Sequence, residues 1–295
     1  MNIAVVDIGT NSTRLLIAEV SAGGEVRVLK TGLITTRLGE GIGKQAYLLT
    51  PAVDRTVEAL LNFRQIILES GAEDVITAAT SAVRDAANQR DFLAEVKQRV
   101  GWDVRVLPGD EEAQLSYLGV VRGLKADLCD GVVIDIGGGS TEFIWTGSGV
   151  LNCASLKIGA VRMTENESRL ADIREMLAGS LIPIKASGAG RLVGVGGTLT
   201  TLAAVDREME IYDPAKVHGY FLTRQRIQDI LYRFEKMTPE ERKRVPGIQP
   251  QRADIITAGV RIALAVVDGL GTDGITVSET DIMYGLLYRA LEKRK

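Results

Sequence analysis

The feature that most constrains this chain is a phrase written twice. "VVDIGTNSTRLLIAEV" begins at Val5 and "VVIDIGGGSTEFIWTG" begins at Val132. Asp7-Ile8-Gly9 and Ser12-Thr13 recur as Asp135-Ile136-Gly137 and Ser140-Thr141, at a constant offset of 128 positions. A period that long repeats a domain rather than a solenoid unit.

The flanking pattern agrees. β-branched runs at 3–8, 13–20 and 25–34 predict three strands, broken by glycines and polar residues. A glycine-rich loop, "GLITTRLGEGIGK", follows, then a helix over 51–70 with Thr50 as N-cap and Pro51 at its first position. "DVITAAT" predicts a buried strand, "SAVRDAANQRDFLAEVKQRVG" a helix in its second half, "VRVLPG" a strand and 110–124 a helix. The order then restarts with strands at 131–136, 141–146 and 150–158, two helices ending near 187, and "RLVGVGGT" running into a helix to about 207. Helices near 224–236 and 251–270, a strand "DGITVSE" and an amphipathic helix with Ile282, Leu286, Leu287 and Leu291 on one side complete the chain. Each half therefore opens with a hairpin that carries the shared phrase.

With 295 residues the chain suits two domains, and 45% hydrophobic with 25% charged residues suits a globular protein with a sizeable core. No apolar run reaches a membrane span and no leader pattern opens the sequence, so a cytoplasmic protein is expected. Cys129 and Cys153 match no metal spacing and are read as small buried hydrophobes. With His218 as the single histidine, a histidine metal cluster or a Ser-His-Asp triad is nearly excluded. The net charge of −3 gives no bulk attraction for nucleic acid, so an anionic substrate must be held locally.

The repeated turns can do that. "DIGTNST" and "DIGGGST" present successive backbone N–H groups and small hydroxyls at a hairpin tip, a concavity suited to phosphate oxygens. The aspartate that ends each first strand cannot bind phosphate itself but can hold a divalent cation. One such hairpin would be an ordinary Asx or Ser turn. Two at matching points of two half-chains predict phosphate loops facing across a cleft. That is the α/β arrangement shared by actin, hexokinase and the heat-shock chaperone ATPases (the ASKHA, ribonuclease H-like fold).

"VDIGTNSTRLLI", "AATSAVRDAAN", "LPGDEEAQLSYLGV", "VIDIGGGSTEF", "GVGGTLTTLAA", "VHGYFLT" and "RADIITAGVRIALAVVDGL" occur in that order over nearly the whole chain. Together they resemble the exopolyphosphatase/guanosine pentaphosphate phosphohydrolase (Ppx/GppA) family, in the short form without additional C-terminal helical domains. The resemblance implies two similar domains with an interdomain cleft, residues 1–117 plus 281–295 and residues 118–280. It implies Mg²⁺ as cofactor and inorganic polyphosphate as substrate, with pppGpp or ppGpp as the alternative ligand. Nucleic acid and membrane are not expected partners, and a homodimer is left open.

By the same resemblance Glu112, not its neighbour Glu111, activates the attacking water; the spacing alone does not separate the two. Asp7, Asp135 and Glu142 place the metal or the water, with Glu142 open to being a solvated strand residue. Asn11, Ser12 and Arg84 bind phosphate, Arg84 through paired hydrogen bonds, and Arg14 is open between that role and a solvated charge. Gly137, Gly138, Gly139, Ser140 and Thr141 bind a second phosphate. Gly194, Gly196, Gly197 and Thr198 form a strand-to-helix turn, the last three a candidate nucleotide site. His218 is read as structural and "TPEERKRV" as a solvated charged face. A non-catalytic nucleotide or alarmone binder is the competing class, against which the intact "DEEA" and both loops argue.

Overall fold

The computed structural model describes residues 1–293 other than 22, 43, 126, 127, 129, 130, 148 and 189. The first half runs β1 (Asn2–Ile8), β2 (Thr13–Val20), β3 (Val26–Ile34), α1 (Thr50–Glu69), β4 (Asp74–Ala79), α2 (Ser81–Arg84), α3 (Gln89–Arg99), β5 (Arg105–Val106) and α4 (Gly109–Leu124). The second runs β6 (Gly131–Ile136), β7 (Thr141–Gly147), β8 (Val150–Leu156), α5 (Ala160–Glu165), α6 (Leu170–Ala186), β9 (Arg191–Val195) and α7 (Gly197–Asp206). It continues through α8 (Pro214–Val217), β10 (Phe221–Thr223), α9 (Arg224–Glu235), α10 (Pro239–Arg242), a 3₁₀ turn (Pro250–Arg252), α11 (Ile256–Leu270), β11 (Gly274–Val277) and α12 (Ile282–Glu292).

The repeat is a repeat of topology. Among the described residues the first sheet is ordered β3-β2-β1-β4-β5 and the second β10-β11-β9-β6-β7-β8. In each, the phrase-bearing strand pairs antiparallel with the next strand and parallel with the strand after the helices. β1 reads as a nearly unbroken apolar run because both of its faces are covered. On one side lie α1 and α3, through Val57, Leu60, Phe63, Phe92 and Val96. On the other lie α4 and α12, through Leu115, Ile282, Leu286 and Leu287.

α4 also packs on the second sheet through Ala113 and Val120. One helix thus lies between the sheets, and its first turn opens beside the hairpin tips. α12 can approach α4 closely because small residues stand at the crossing: a Cβ on Gly285 would fall 1.9 Å from the Leu115 carbonyl oxygen.

Several local expectations change. Thr50 begins α1 but is not its N-cap; Leu49 occupies that position and no side chain caps the helix. "VRVLPG" supplies a strand of two residues, Arg105–Val106. "TPEERKRV" folds only one turn of helix, and its Arg242 is buried, donating to the carbonyls of Met237 and Ala253. "VHGYFLT" is strand only at Phe221–Thr223. His218 there accepts the Glu279 amide proton at Nδ1 (3.2 Å), a structural contact. Cys153 is half-buried and free, whereas Cys129 lies outside the described residues. Among the described residues no helix is long and apolar enough to cross a membrane.

Candidate active site

The two hairpin tips have the same internal turn. The Gly9 amide donates to the Ser12 carbonyl at 3.1 Å and the Gly137 amide to the Ser140 carbonyl at 3.0 Å. They face each other. A cavity of about 90 Å³ is lined by Gly9, Thr10, Asn11 and Ser12 on one side and Gly137, Gly138, Gly139 and Ser140 on the other. Asp7, Asp135 and Glu112 reach its wall, as do Thr80, Ser81, Gly196, Gly197, Thr198 and Arg252. The tips nearly touch: a Cβ on Gly139 would meet Ser81 Oγ at 2.6 Å and Thr10 Oγ1 at 2.8 Å.

Residues 7 and 14 face each other across the first hairpin, and 135 and 142 across the second. The same place in the repeat is therefore a cation once and an anion once. Arg14 donates from Nη2 and Nε to Asp7 (2.7 and 3.0 Å) and from Nη1 to Asp281. It lines the cavity but is committed to two carboxylates, which hold its charge firmly, rather than being solvated. Glu142 is 1% exposed, so it is not a solvated strand residue. Ser155 Oγ donates to its Oε1 at 2.7 Å and its Oε2 has no partner. Burial, then the charge of Asp135, raises its pKa. It does not line the cavity, and neither does Thr141, whose hydroxyl donates to the Ile158 carbonyl at 2.5 Å.

Glu112 and Glu111 point apart, as helix geometry requires of neighbours. Glu111 is tied to Arg105 at 2.6 Å, outside the cavity. Glu112 is 7% exposed. Burial raises its pKa well above the ordinary carboxylate value, the charge of Glu142 adds to this, and Arg84 opposes it. Arg84 sits at the end of α2, just after β4, and donates from Nη1 to Glu112 Oε2 (2.6 Å) and to the Leu107 carbonyl (2.9 Å).

The three residues expected at a metal do not gather around one point. Among the described residues no group of three or more His, Cys, Asp or Glu could hold an ion. A cation completed by phosphate and water oxygens needs only one or two carboxylates. Asp7 and Asp135 fit that requirement. Both line the cavity wall, Asp7 buried and Asp135 half-buried, and Asp7 Oδ1 has no partner. Burial raises both pKa values, Asp135 to about 6, even though Ser116 Oγ donates to Asp135 at 2.8 Å. Glu142, turned toward Ser155, does not join them.

Residues that the sequence did not single out are Thr10, Thr80, Ser81 and Arg252. Thr80 and Ser81 lie within "ATSAVR", but nothing in the segment says which side chain faces the cleft. Arg252 is 9% exposed, its Nε donates to Gln249 Oε1 at 3.3 Å, and its guanidinium lies against Gly197. Burial and the nearby Arg14 lower its pKa to about 10. Gly196, at φ +92°, Gly197 and Arg252 also line an adjoining cavity of about 570 Å³ with Tyr212, Met283 and Tyr284.

The Ppx/GppA phosphatase family profile matches residues 16–294. The bifunctional 3-dehydroquinate synthase/phosphatase of Fusobacterium nucleatum is 35% identical over 99% of this chain, which spans about half (47%) of that longer protein. Exopolyphosphatase 2 of Mycobacterium tuberculosis is 33% identical over 96% of this chain and 97% of its own length. The crystal structure of the Aquifex aeolicus Ppx/GppA family member superposes with a TM-score of 0.82 at 32% identity, covering 100% of this chain and 99% of that one. The chain therefore belongs to the Ppx/GppA phosphatase family and is a phosphohydrolase, with two matching glycine-bearing hairpin loops facing across a cavity that Glu112 lines.

Proposed function

We propose that the protein is an exopolyphosphatase that removes the terminal orthophosphate of inorganic polyphosphate, acting best on short chains. The observation that carries this is Glu112, a buried carboxylate in the wall of a cavity whose other walls are the two phosphate loops. A water held there can be deprotonated by Glu112 as it attacks phosphorus in line with the scissile bond. A raised pKa makes the carboxylate a better proton acceptor.

The backbone amides of residues 9–12 and 137–140 bind phosphate oxygens, with Asn11, Ser12 and Ser140 adding polar side-chain groups. Thr141 acts at one remove by holding the second loop to Ile158. Arg84, now on Glu112 and not itself in the cavity lining, would exchange that carboxylate for a phosphate oxygen as substrate enters. Arg14 opposes the rise in the Asp7 pKa that burial causes, rather than binding substrate itself. Mg²⁺, held by Asp7 and Asp135, would neutralise the charge on the terminal phosphate oxygens. Glu142 enters through its charge on Glu112. We take residues 1–117 with 281–295, and 118–280, as the two lobes; the packing of α12 on β1 supports returning the C-terminal helix to the first.

One observation favours a second reading, hydrolysis of guanosine pentaphosphate at the same loops. The adjoining cavity has nucleoside dimensions and aromatic lining, and it opens onto Gly196 and Gly197. Phosphate release measured in parallel on short polyphosphate, long polyphosphate and pppGpp, with Mg²⁺ and with chelator, separates the two. Release from polyphosphate is expected to be faster and to stop with chelator. Release from pppGpp alone would reverse the assignment.

A further inference from the structure

Two stretches border the substrate site, which α5 lines only through Ala160: the glycine-rich segment after β3 and α5, "AVRMTE". They meet across the cleft. α5 is tied to the second phosphate loop, with the amides of Ala160 and Val161 donating to the carbonyls of Gly137 (2.9 Å) and Gly138 (2.8 Å). Its Arg162 side chain is 12% exposed and makes three different contacts. Nε donates to the Gly139 carbonyl (2.9 Å), Nη1 to the Ile42 carbonyl (3.1 Å) and Nη2 to Asp85 Oδ2 (2.9 Å). Three residues on, Glu165 Oε1 accepts the Gly41 amide proton at 2.7 Å. Ile42 packs on Ala160, Val161 and Ile255.

The same segment is tied to the first phosphate loop. The amides of Arg37 and Gly39 donate to the carbonyls of Asn11 (2.9 Å) and Thr10 (2.8 Å). Asp85 directly follows Arg84, and its amide donates to the Ser81 carbonyl (2.9 Å). One guanidinium therefore reaches the second phosphate loop, a strap fixed to the first, and the helix end that carries Arg84.

We infer that Arg162 is a positioning residue for phosphate release: it fastens the strap across the cleft and, through Asp85, keeps Arg84 and Ser81 in register with the second phosphate loop. The reaction named here rests on the proposed function; the strap does not. The planar fork suits the task, because three acceptors in different directions need a rigid group with several N–H donors, which an ammonium on a flexible stem does not supply. The apolar contact at the strap is small, so closure depends on these few charge-assisted bonds.

The test uses the whole protein with Mg²⁺ and polyphosphate, and compares Arg162→Ala, Arg162→Lys, Asp85→Asn and Lys157→Ala. Lys157 also pairs with Asp85, at 3.2 Å, but its side chain is 70% exposed. Arg162→Ala is expected to raise KM and lower kcat, with a combined loss of about 100-fold, the scale of a misplaced reacting group. Arg162→Lys should recover only a minor part of it. Asp85→Asn should cost about tenfold alone and add little to Arg162→Ala, because both break one path. Lys157→Ala should stay within about twofold, as exposed pairs contribute little.

Amide exchange at Gly41 and Ile42 should speed up about tenfold or more in Arg162→Ala. Exchange and KM both unchanged, with only a smaller active fraction or a lower melting temperature, would overturn the inference as a merely structural role. Should the wild type release no phosphate from polyphosphate, the proposed function falls, and the exchange comparison still decides whether Arg162 fastens the strap. Should Arg162→Ala fail to fold, Arg162→Lys and Asp85→Asn carry the same comparison.

Discussion

Arg84 Nη1 stands 2.6 Å from Glu112 Oε2, so the proposed phosphate ligand and the proposed base hold each other within the first lobe, beside the cleft. Removing either should therefore do more than delete one group. Glu112→Ala is expected to lower the rate of hydrolysis by about 10²–10⁴. Substrate affinity should stay the same or tighten, because a like charge is gone and Arg84 is released to the phosphate. Glu111→Ala, which loses only the contact to Arg105, should keep near-normal turnover. Rate and affinity under saturating Mg²⁺ check all three statements, and a dead Glu111→Ala would unseat Glu112 as the base.

Arg84→Ala should behave in the opposite sense on binding. Affinity and rate both fall, and the affinity deficit shrinks at high salt as screening weakens the lost attraction. The pH profile should move too. Arg84 lowers the Glu112 pKa, so its removal raises that pKa further. A base works only when deprotonated, so the acid limb of kcat shifts to higher pH. An acid limb that stays fixed or moves down would contradict the pairing.

Stability should rise as the protein is acidified from neutral to about pH 5. Asp7, Asp135, Glu112 and Glu142 all have raised pKa values in the fold, Asp135 at about 6, chiefly through burial. In the unfolded chain such groups titrate near 4. Between those limits the folded state binds more protons than the unfolded one, so stability falls as pH rises through the window. Melting temperatures in chelator at constant ionic strength give the slope. Asp135→Asn should flatten it, and a slope of the opposite sign would refute the account.

Gly139→Ala should separate the loops. The added Cβ would meet Ser81 Oγ at 2.6 Å and Thr10 Oγ1 at 2.8 Å. Overpacking of this kind costs about 1–3 kcal/mol, which melting curves can measure. Hydrolysis should drop by about 100-fold, because both phosphate loops shift together. Gly149→Ala is not an equivalent control, since that glycine has positive φ; Gly179→Ala, in open space inside α6, is, and should leave hydrolysis unchanged while raising stability by about 1 kcal/mol, because alanine favours a helix interior.

Turnover per chain end should stop rising once polyphosphate exceeds a few phosphates. The cavity between the loops, about 90 Å³, takes the terminal group and little more. A kcat/KM that climbs steadily into chains of hundreds would show that binding far from the cavity matters.

The doubled architecture was legible because it is written in short-range pattern. β1 and β6 are apolar runs ending in Asp-Ile-Gly, and each hairpin closes through the same Gly-to-Ser bond. Element ends were harder. The α1 cap and the strand at Arg105–Val106 depend on which backbone groups find partners outside the segment. Glu112 was separable from Glu111 in sequence only by family likeness, whereas in the fold Arg84 and Arg105 draw the two apart.

The sequence by itself determined that two matching hairpin loops exist and that one is followed by Arg14 and the other by Glu142 at the same point of the repeat. What those opposite charges do was decided by tertiary structure. Arg14 is neutralised by Asp7 from its own hairpin and by Asp281, 267 residues away. Glu142 is turned to Ser155 and buried against Asp135, with Glu112 of α4 close enough to feel its charge. Period and turn chemistry act over a few residues and survive in one dimension. Burial and charge pairing depend on groups that meet only when the sheets close on α4, and no spacing in the chain records those meetings.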